Sequence, residues 1–279
     1  MTETDPASSA GGPTAGTAPA APAAPATGRP ASDGAGVVVC IPTFNEIENL
    51  PGLVTRVQAV LPAARVLVVD DDSPDGTGAL ADSLAAADPR VAVLHHNPRA
   101  GLGAAYVAPF TQLVGGRPAG EVAWVVQMDA DGSHAPEDLP AMFAAADDAD
   151  LVLGSRYVPG GRVVDWSRHR LELSRAGNAY SRWALRLPVR DVTGGFRLFR
   201  RGALADIPVA SVASQGYCFQ IDMVLRARRA GLRIREVPIS FVERAHGESK
   251  MTGAVVREAL WRVTAWAVRE RRTAPSPPG

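Results

Sequence analysis

The chain has 279 residues, 46% of them hydrophobic, and its 29 Lys and Arg balance 29 Asp and Glu to a formal net charge of zero. No apolar run reaches the roughly 18 residues needed to span a bilayer, which excludes an integral membrane class and leaves a soluble or peripheral chain. The only two cysteines, Cys40 and Cys218, are spaced unlike metal ligands and are read as small buried hydrophobes in a reducing compartment.

Residues 1–36 are nearly all Ala, Pro, Gly, Ser and Thr. Such a composition cannot bury enough apolar surface to offset its ordering entropy, so a disordered tail is expected. It carries neither the basic n-region nor the continuous apolar stretch of a secretory signal. Residues 273–279 are expected to be unstructured too, leaving about 235 residues for one large α/β domain. The zero net charge hides a segregation. Residues 1–155 hold 6 Arg against 19 acids, a net of −13, whereas residues 156–279 hold 22 Arg and Lys250 against 10 acids, a net of +13. An acidic half followed by a basic half suggests a cation handled by the first and an anion by the second, although two solvated faces of unequal charge give the same count.

In chain order, strands are predicted over 36–42, 65–71, 90–96, 122–128 and 150–155, each short, β-branched and apolar on both faces, as strands covered by helices on each side must be. Helical patterns over 46–61 and 76–87 separate the first three. A late strand follows over 234–242 and a final helix over 251–272. The alternation predicts an α/β fold with a mostly parallel sheet and right-handed crossovers, whose ligands gather at the carboxyl ends of the strands.

The unusual residues stand at those ends. After the first strand, Pro42 is expected to end the ladder and Asn45 to cap the helix that Glu46 begins. The second strand runs into Asp70-Asp71-Asp72, and Asp75 can cap the next helix. Three adjacent carboxylates repel one another, so Asp70 or Asp71 is expected to accept hydrogen bonds from a ligand with paired donors, such as a nucleobase edge or a ribose. The fourth strand ends in Asp129-Ala130-Asp131, an acid pair that can converge on a hard cation while leaving positions open for phosphate oxygens. The run from Arg99 to Tyr106 looks like a truncated dinucleotide fingerprint, but it follows the third strand and no acid closes the next one at the required place.

In the basic half, Gly154-Ser155-Arg156-Tyr157 closes the fifth strand, followed by Pro159-Gly160-Gly161, Arg168, Arg170 and Ser174. Asp191 to Arg197 and Glu243 to Lys250 come later, Lys250 being the only lysine beside 28 arginines. Arginine forks suit a second, anionic substrate. Of His96, His134, His169 and His246, all read as surface or loop residues, His246 is the best active-site candidate.

Taken in order, PTFNE, VVDDDSPDGT, RAGLGAAY, QMDADGSH, GSRYVPGG, DVTGGFRLFRR and ERAHGESKM resemble glycosyltransferase family 2, and within it the polyprenol-phosphate (dolichyl-phosphate) mannose synthases, over roughly residues 37 to 252. The resemblance implies a single GT-A, Rossmann-like domain over 37–250 with helices flanking its sheet, and an amphipathic helix over 251–272. It implies that Pro42, Phe44, Glu46, Asp70 and Asp71 line the nucleotide-sugar pocket, with Asp129 and Lys250 contributing. Phe44 stands where the family often has Tyr. Asp129 and Asp131, with Ser133 where the family often has Gln, would bind Mg²⁺ or Mn²⁺ and through it the diphosphate of GDP-mannose. Arg156, Arg170 and Ser174 match positions that hold the acceptor phosphate, and Arg244 with Lys250 would close over the phosphates. Asp129, Asp131, Arg156 and Arg244 would then carry catalysis.

The activity implied is inverting transfer of mannose from GDP-mannose to a polyprenyl monophosphate, at the cytoplasmic face of a membrane and without nucleic acid as a partner. UDP-glucose as donor remains an alternative, as does a non-catalytic sugar-nucleotide-binding module, although the intact acid pair argues against the latter. In the final helix Val256, Leu260, Val263 and Ala267 form one stripe, Trp261 and Trp266 flank it, and Arg262, Arg269, Arg271 and Arg272 lie off it. Such a helix suits a membrane surface, a membrane-anchoring partner protein, or packing on its own domain.

Overall fold

The computed structural model describes residues 29–96, 101–116, 122–214, 216–243 and 253–273, with the side chains at 101, 102, 253–255 and 273 outside that set. Arg244, His246 and Lys250 therefore lie outside the described residues, as do 1–28 and 274–279 of the two expected tails. Residues 31–36 sit against the domain: the Ala63 N–H donates to the Asp33 carbonyl, and the Gly36 carbonyl accepts from Ala123 and Trp124.

The first three strands, β1 (Val37–Thr43), β2 (Arg65–Asp70) and β3 (Val91–His95), alternate with α1 (Leu50–Val60) and α2 (Thr77–Ala87). Then come α3 (Gly101–Gly115), β4 (Trp124–Gln127), α4 (Leu139–Ala144), β5 (Leu151–Ser155) and a short β6 (Arg162–Val164). The second half contains α5 (Arg168–Leu185), β7 (Arg197–Arg200), α6 (Arg201–Asp206), α7 (Gly216–Arg229), β8 (Ile234–Pro238), β9 (Ser240–Val242) and α8 (Gly253–Thr273). Seven strands form the main sheet in the order β3-β2-β1-β4-β7-β5-β8, and β6 pairs with β9 in a small second sheet.

Apolar residues on both faces of each strand build two cores. Val37, Val39 and Ile41 of β1 pack with Leu50, Leu53 and Val57 of α1 and Met142 of α4 on one side. Val38 and Cys40 point to the other, against Tyr106 and Phe110 of α3 and Phe219 of α7. Each fully buried aliphatic side chain contributes about 1.5–3 kcal/mol, so a central strand buried along its whole length anchors the sheet.

All neighbours in the main sheet are parallel except β7, which runs antiparallel to both β4 and β5. Because of that reversal the start of β7 lies beside the end of β4, with Arg197 opposite Gln127. The loop entering β7 is thereby delivered to the edge where the parallel strands finish.

Two local expectations are corrected. Pro42 does not end the ladder: it pairs with Val69, and β1 continues to Thr43, because proline lacks only the donor and its carbonyl and register remain usable. Asn45 does not cap a helix. It takes a left-handed conformation (φ 60°), and α1 begins four residues after Glu46, at Leu50. Asp75, by contrast, accepts from the Thr77 N–H at 3.0 Å at the start of α2.

The terminal helix α8 packs on its own domain through Val263 and Ala267, 1% and 6% exposed, against α5 and α7. Tyr180 of α5 meets Thr264 at 2.6 Å, and Arg228 and Arg229 of α7 pair with Glu270. Among the described residues no helix is long and apolar enough to cross a membrane.

Candidate active site

The loops after β1 and β2 are latched together. The Asn45 N–H donates to Ser73 Oγ at 3.1 Å, the Glu46 N–H to Thr77 Oγ1 at 2.9 Å and the Ile47 N–H to Asp75 Oδ2 at 3.3 Å. Asp70 secures this arrangement from below: its carboxylate accepts from Thr43 Oγ1, Ser73 Oγ and the Ser73 N–H at 2.6–3.1 Å. Asp71, one residue on, turns to His96 Nδ1 at 3.2 Å. Pro42 is buried beneath, whereas Phe44 and Glu46 are half-buried on the loop, Glu46 accepting from Asn49 Nδ2 at 2.8 Å. Asn45 and Asp72 both hold positive φ, a conformation that Asn and Asp tolerate better than most residues.

At the end of β4 the chain folds back on itself. The Asp129 N–H donates to His134 Nδ1 at 3.1 Å, so that nitrogen is the acceptor and Nε2 carries the proton. His134 is 1% exposed, stacked on Phe196 and edge-on to Phe241. It is therefore a loop histidine, as one of the two expected placements had it, but a buried one and not a surface one. Gly132 supplies the positive φ (74°) that the turn requires. Asp131 Oδ1 accepts from the Ser133 N–H at 3.1 Å, and Ser133 Oγ is buried without a hydrogen-bond partner among the described residues.

Two further groups fix Asp129, and neither is evident in its own stretch of sequence. Tyr106 of α3 donates its hydroxyl to Asp129 Oδ1 at 3.1 Å. Burial and the neighbouring Asp129 push that phenol well above its ordinary pKa, so it remains the donor. On the other side, a Cβ at Gly195 would stand 2.9 Å from Asp129 Oδ2, which leaves glycine as the residue that admits the carboxylate. Beneath both lies Arg197, fully buried, donating to the carbonyls of Gly194, Val192 and Gln220. Burial pushes its pKa down to about 9, against the pull of Asp191, Tyr106 and Asp129, and the guanidinium stays charged at neutral pH.

The basic half of the site is built on Arg156 and Asp191. The guanidinium forks onto the carboxylate with Nε–Oδ2 and Nη2–Oδ1 both at 2.7 Å, its own N–H adds a bond at 3.0 Å, and Nη2 reaches Thr193 Oγ1 at 2.8 Å. Burial opposes both charges, yet each partner overcomes it for the other: Arg156 is held above its usual pKa and Asp191 below the usual carboxylate range. The rings of Tyr157, Trp166 and Phe241 surround the guanidinium at 5.2–5.5 Å. Arg170 stacks on Trp166 at 4.0 Å and pairs with Glu243. Tyr157 donates to Ser174 Oγ at 2.7 Å. Among the described residues, Arg170 Nε and Trp166 Nε1 are buried donors without hydrogen-bond partners.

The structure thus brings Asp129, Asp131 and Ser133 onto one turn, and gathers Arg156, Arg170 and Ser174 around Tyr157 and Trp166. The span from Asp191 to Gly195 touches both groups. Among the described residues no three His, Cys, Asp or Glu side chains form a metal-holding cluster. The acid pair nevertheless offers an oxygen-only donor set beside the orphaned Ser133 hydroxyl, the chemistry that hard divalent cations prefer.

With acids at the tips of its parallel strands and arginines in its second half, the protein is a glycosyltransferase of the GT-A type, and the chain belongs to glycosyl transferase family 2, whose description matches residues 38–207. It is 53% identical over 236 residues to a polyprenol monophosphomannose synthase of Mycolicibacterium smegmatis, covering 84% of this chain and 88% of that one. It is 50% identical over 235 residues to an undecaprenyl-phosphate mannosyltransferase of Micrococcus luteus, covering 84% and 95%. Among solved structures, mannosyl-3-phosphoglycerate synthase from Rubrobacter xylanophilus superposes with a TM-score of 0.59 at 18% identity, over 86% of this chain and 76% of that one. Glucosyl-3-phosphoglycerate synthase from Mycobacterium tuberculosis, solved with Mn²⁺ and UDP-glucose, gives 0.58 at 20% identity, over 89% and 81%.

Proposed function

We propose that the protein transfers mannose from GDP-mannose to the phosphate of a polyprenyl monophosphate, giving a polyprenyl-phosphate β-mannose. The observation that carries this reading is the 53% and 50% identity, over 84% of the chain, to relatives named for transfer to polyprenyl phosphates. The site's chemistry agrees with it. A phosphate monoester has its second pKa near 6, so the acceptor arrives ionised and needs positioning and neutralisation rather than deprotonation. That fits a centre where Arg156, Arg170, Tyr157 and Ser174 converge and His134 is committed to the turn.

Asp129 and Asp131, with the Ser133 hydroxyl, would hold Mg²⁺ or Mn²⁺, which when bound neutralises the diphosphate leaving group. Tyr106 and Gly195 keep Asp129 in place for that role. Pro42, Phe44, Glu46 and Asp71 line the nucleotide pocket, and Asp70 holds its loop. Arg244 and Lys250 contribute cationic charge over the phosphates. In-line attack by the acceptor oxygen inverts the sugar carbon, taking the α-linked donor to a β-linked product. Because the acceptor is a membrane lipid, the protein works peripherally at the cytoplasmic face, with the exposed Trp261 of α8 available to a lipid surface or a membrane partner.

Radiolabelled GDP-mannose, incubated with farnesyl or undecaprenyl phosphate and Mg²⁺, tests the reading: label should enter the lipid fraction, stop with EDTA and return with added Mg²⁺ or Mn²⁺. Labelling from UDP-glucose instead would overturn the donor, and labelling from neither would overturn the function.

A further inference from the structure

The arginine half of the site carries its own anions, held in two different ways. Asp191, whose side chain is 0% exposed, forks onto Arg156, and separating them would leave a buried charge uncompensated. Arg170 is paired instead with Glu243, whose side chain is 36% exposed. Glu243 stands just past β9, where its N–H donates to the Val164 carbonyl at 3.2 Å. Arg170 is the fixed member of this pair. Its own N–H is capped by Ser167 in the first turn of α5, and its guanidinium lies 4.0 Å over the Trp166 ring, which is 5.5 Å from the Arg156 guanidinium. Rotation of one side chain therefore carries the Glu243 carboxylate into water, while its backbone bond stays and Arg170 remains stacked.

We infer that Glu243 is a competing anion built into the acceptor site: it holds Arg170 until the acceptor phosphate displaces it, and it returns once mannose has been transferred. The inference rests on the function proposed above, which sets Arg170 at that phosphate. Charge gives the exchange its direction. Above its second pKa near 6 a phosphate monoester carries about two negative charges, against the single charge of a carboxylate. Transfer forms a bond from the acceptor oxygen to the sugar carbon and breaks the bond from that carbon to the diphosphate. The second negative charge leaves with the nucleoside diphosphate, and the lipid phosphate becomes a diester with one charge. Its coulombic advantage over Glu243 is then gone. The carboxylate, tethered beside the guanidinium, competes at high effective concentration. Glu243 thus admits the dianion and loosens the monoanion that it becomes.

Glu243→Gln in the full chain tests this. Calorimetry at about pH 8, where the monoester is doubly ionised, measures the binding of two probes. One is farnesyl phosphate, a monoester; the other is farnesyl methyl phosphate, a diester that stands in for the phosphate of the product. Removal of one competitor should tighten both by a common factor of about three to ten, as for an ion pair between the exposed and buried limits. The sign is diagnostic, because a substitution that merely loosened the local structure would weaken both probes. Unchanged or weaker binding of either probe overturns the inference, as does wild-type protein that binds neither. Failure of the wild-type protein to transfer mannose overturns the proposed function instead, and the two binding constants still decide on Glu243.

Discussion

Gly195→Ala isolates how closely Asp129 must be held. The added methyl would lie 2.9 Å from Asp129 Oδ2, 3.3 Å from Oδ1 and 3.4 Å from Cγ, whereas ordinary contact begins at 3.4 Å. The carboxylate must retreat by about 0.5 Å, and its retreat disturbs the 3.1 Å bond from Tyr106. A misplacement of about 1 Å at a reacting centre can cost roughly 100-fold, so about half of that predicts a loss of 10- to 100-fold in kcat. The fold should survive with a melting temperature within about 3 °C of wild type, since a change near 1 kcal/mol moves a domain of this size by about 2–4 °C. Mannose transfer to farnesyl phosphate, measured across a Mn²⁺ titration, gives both kcat and the apparent metal requirement, and the latter should rise. Gly202→Ala in α6, where a Cβ meets nothing within 4 Å, is the matched control and should retain full activity. Wild-type kcat and metal dependence in Gly195→Ala would refute the claim that close approach at this glycine sets the position of the acid.

Tyr106→Phe keeps the ring stacked on Phe219 but removes the donor to Asp129. A hydrogen bond to a charged group is worth about 1.5–3 kcal/mol, so kcat should fall about tenfold or more, with little change in the acceptor KM. Asp191→Asn leaves Arg156 buried without its counter-charge, which costs about 3–5 kcal/mol and should lower the melting temperature by about 10 °C in a thermal melt. The same variant alters the acid limb of stability. Asp191 is held below the ordinary carboxylate pKa, so its contribution is full above about pH 4 and is lost as pH falls through the folded-state value. Stability curves of wild type and Asp191→Asn should therefore converge below about pH 4; a constant separation down to pH 2 would show that the ion pair is not the source.

Much of the sheet was legible because β1, β2, β4 and β5 are apolar on both faces, a pattern that only doubly covered strands tolerate. β7 was not. Arg197 and Arg200 occupy positions where a strand buried on both sides ordinarily carries aliphatic residues. Their guanidinium groups donate to carbonyls distant in sequence, such as that of Gln220 for Arg197 and that of Ala146 for Arg200. The acid pair and the Arg156–Arg170–Ser174 group were visible as motifs, but the partnership of Arg156 with Asp191 spans 35 residues and needs the reversed strand to form. Tyr106 lay within a stretch that reads as a failed dinucleotide fingerprint, and its hydroxyl acquires meaning only once α3 packs against β1 and α7. At Asn45 local propensity pointed to a cap, whereas the latch to Ser73 prevailed and delayed the helix to Leu50.

Bisubstrate enzymes usually allow mutagenesis to treat the two substrates one at a time. The loop entering β7 denies that separation, because Asp191 grips the arginine of one half while Gly195, four positions later, clears space for the acid of the other. An insertion, deletion or graft inside Asp191–Gly195 will change both Michaelis constants at once and can be mistaken for a change in binding order. A chimera meant to exchange acceptor preference alone should place its junctions outside that span, or it will carry the anchoring of Asp129 with it.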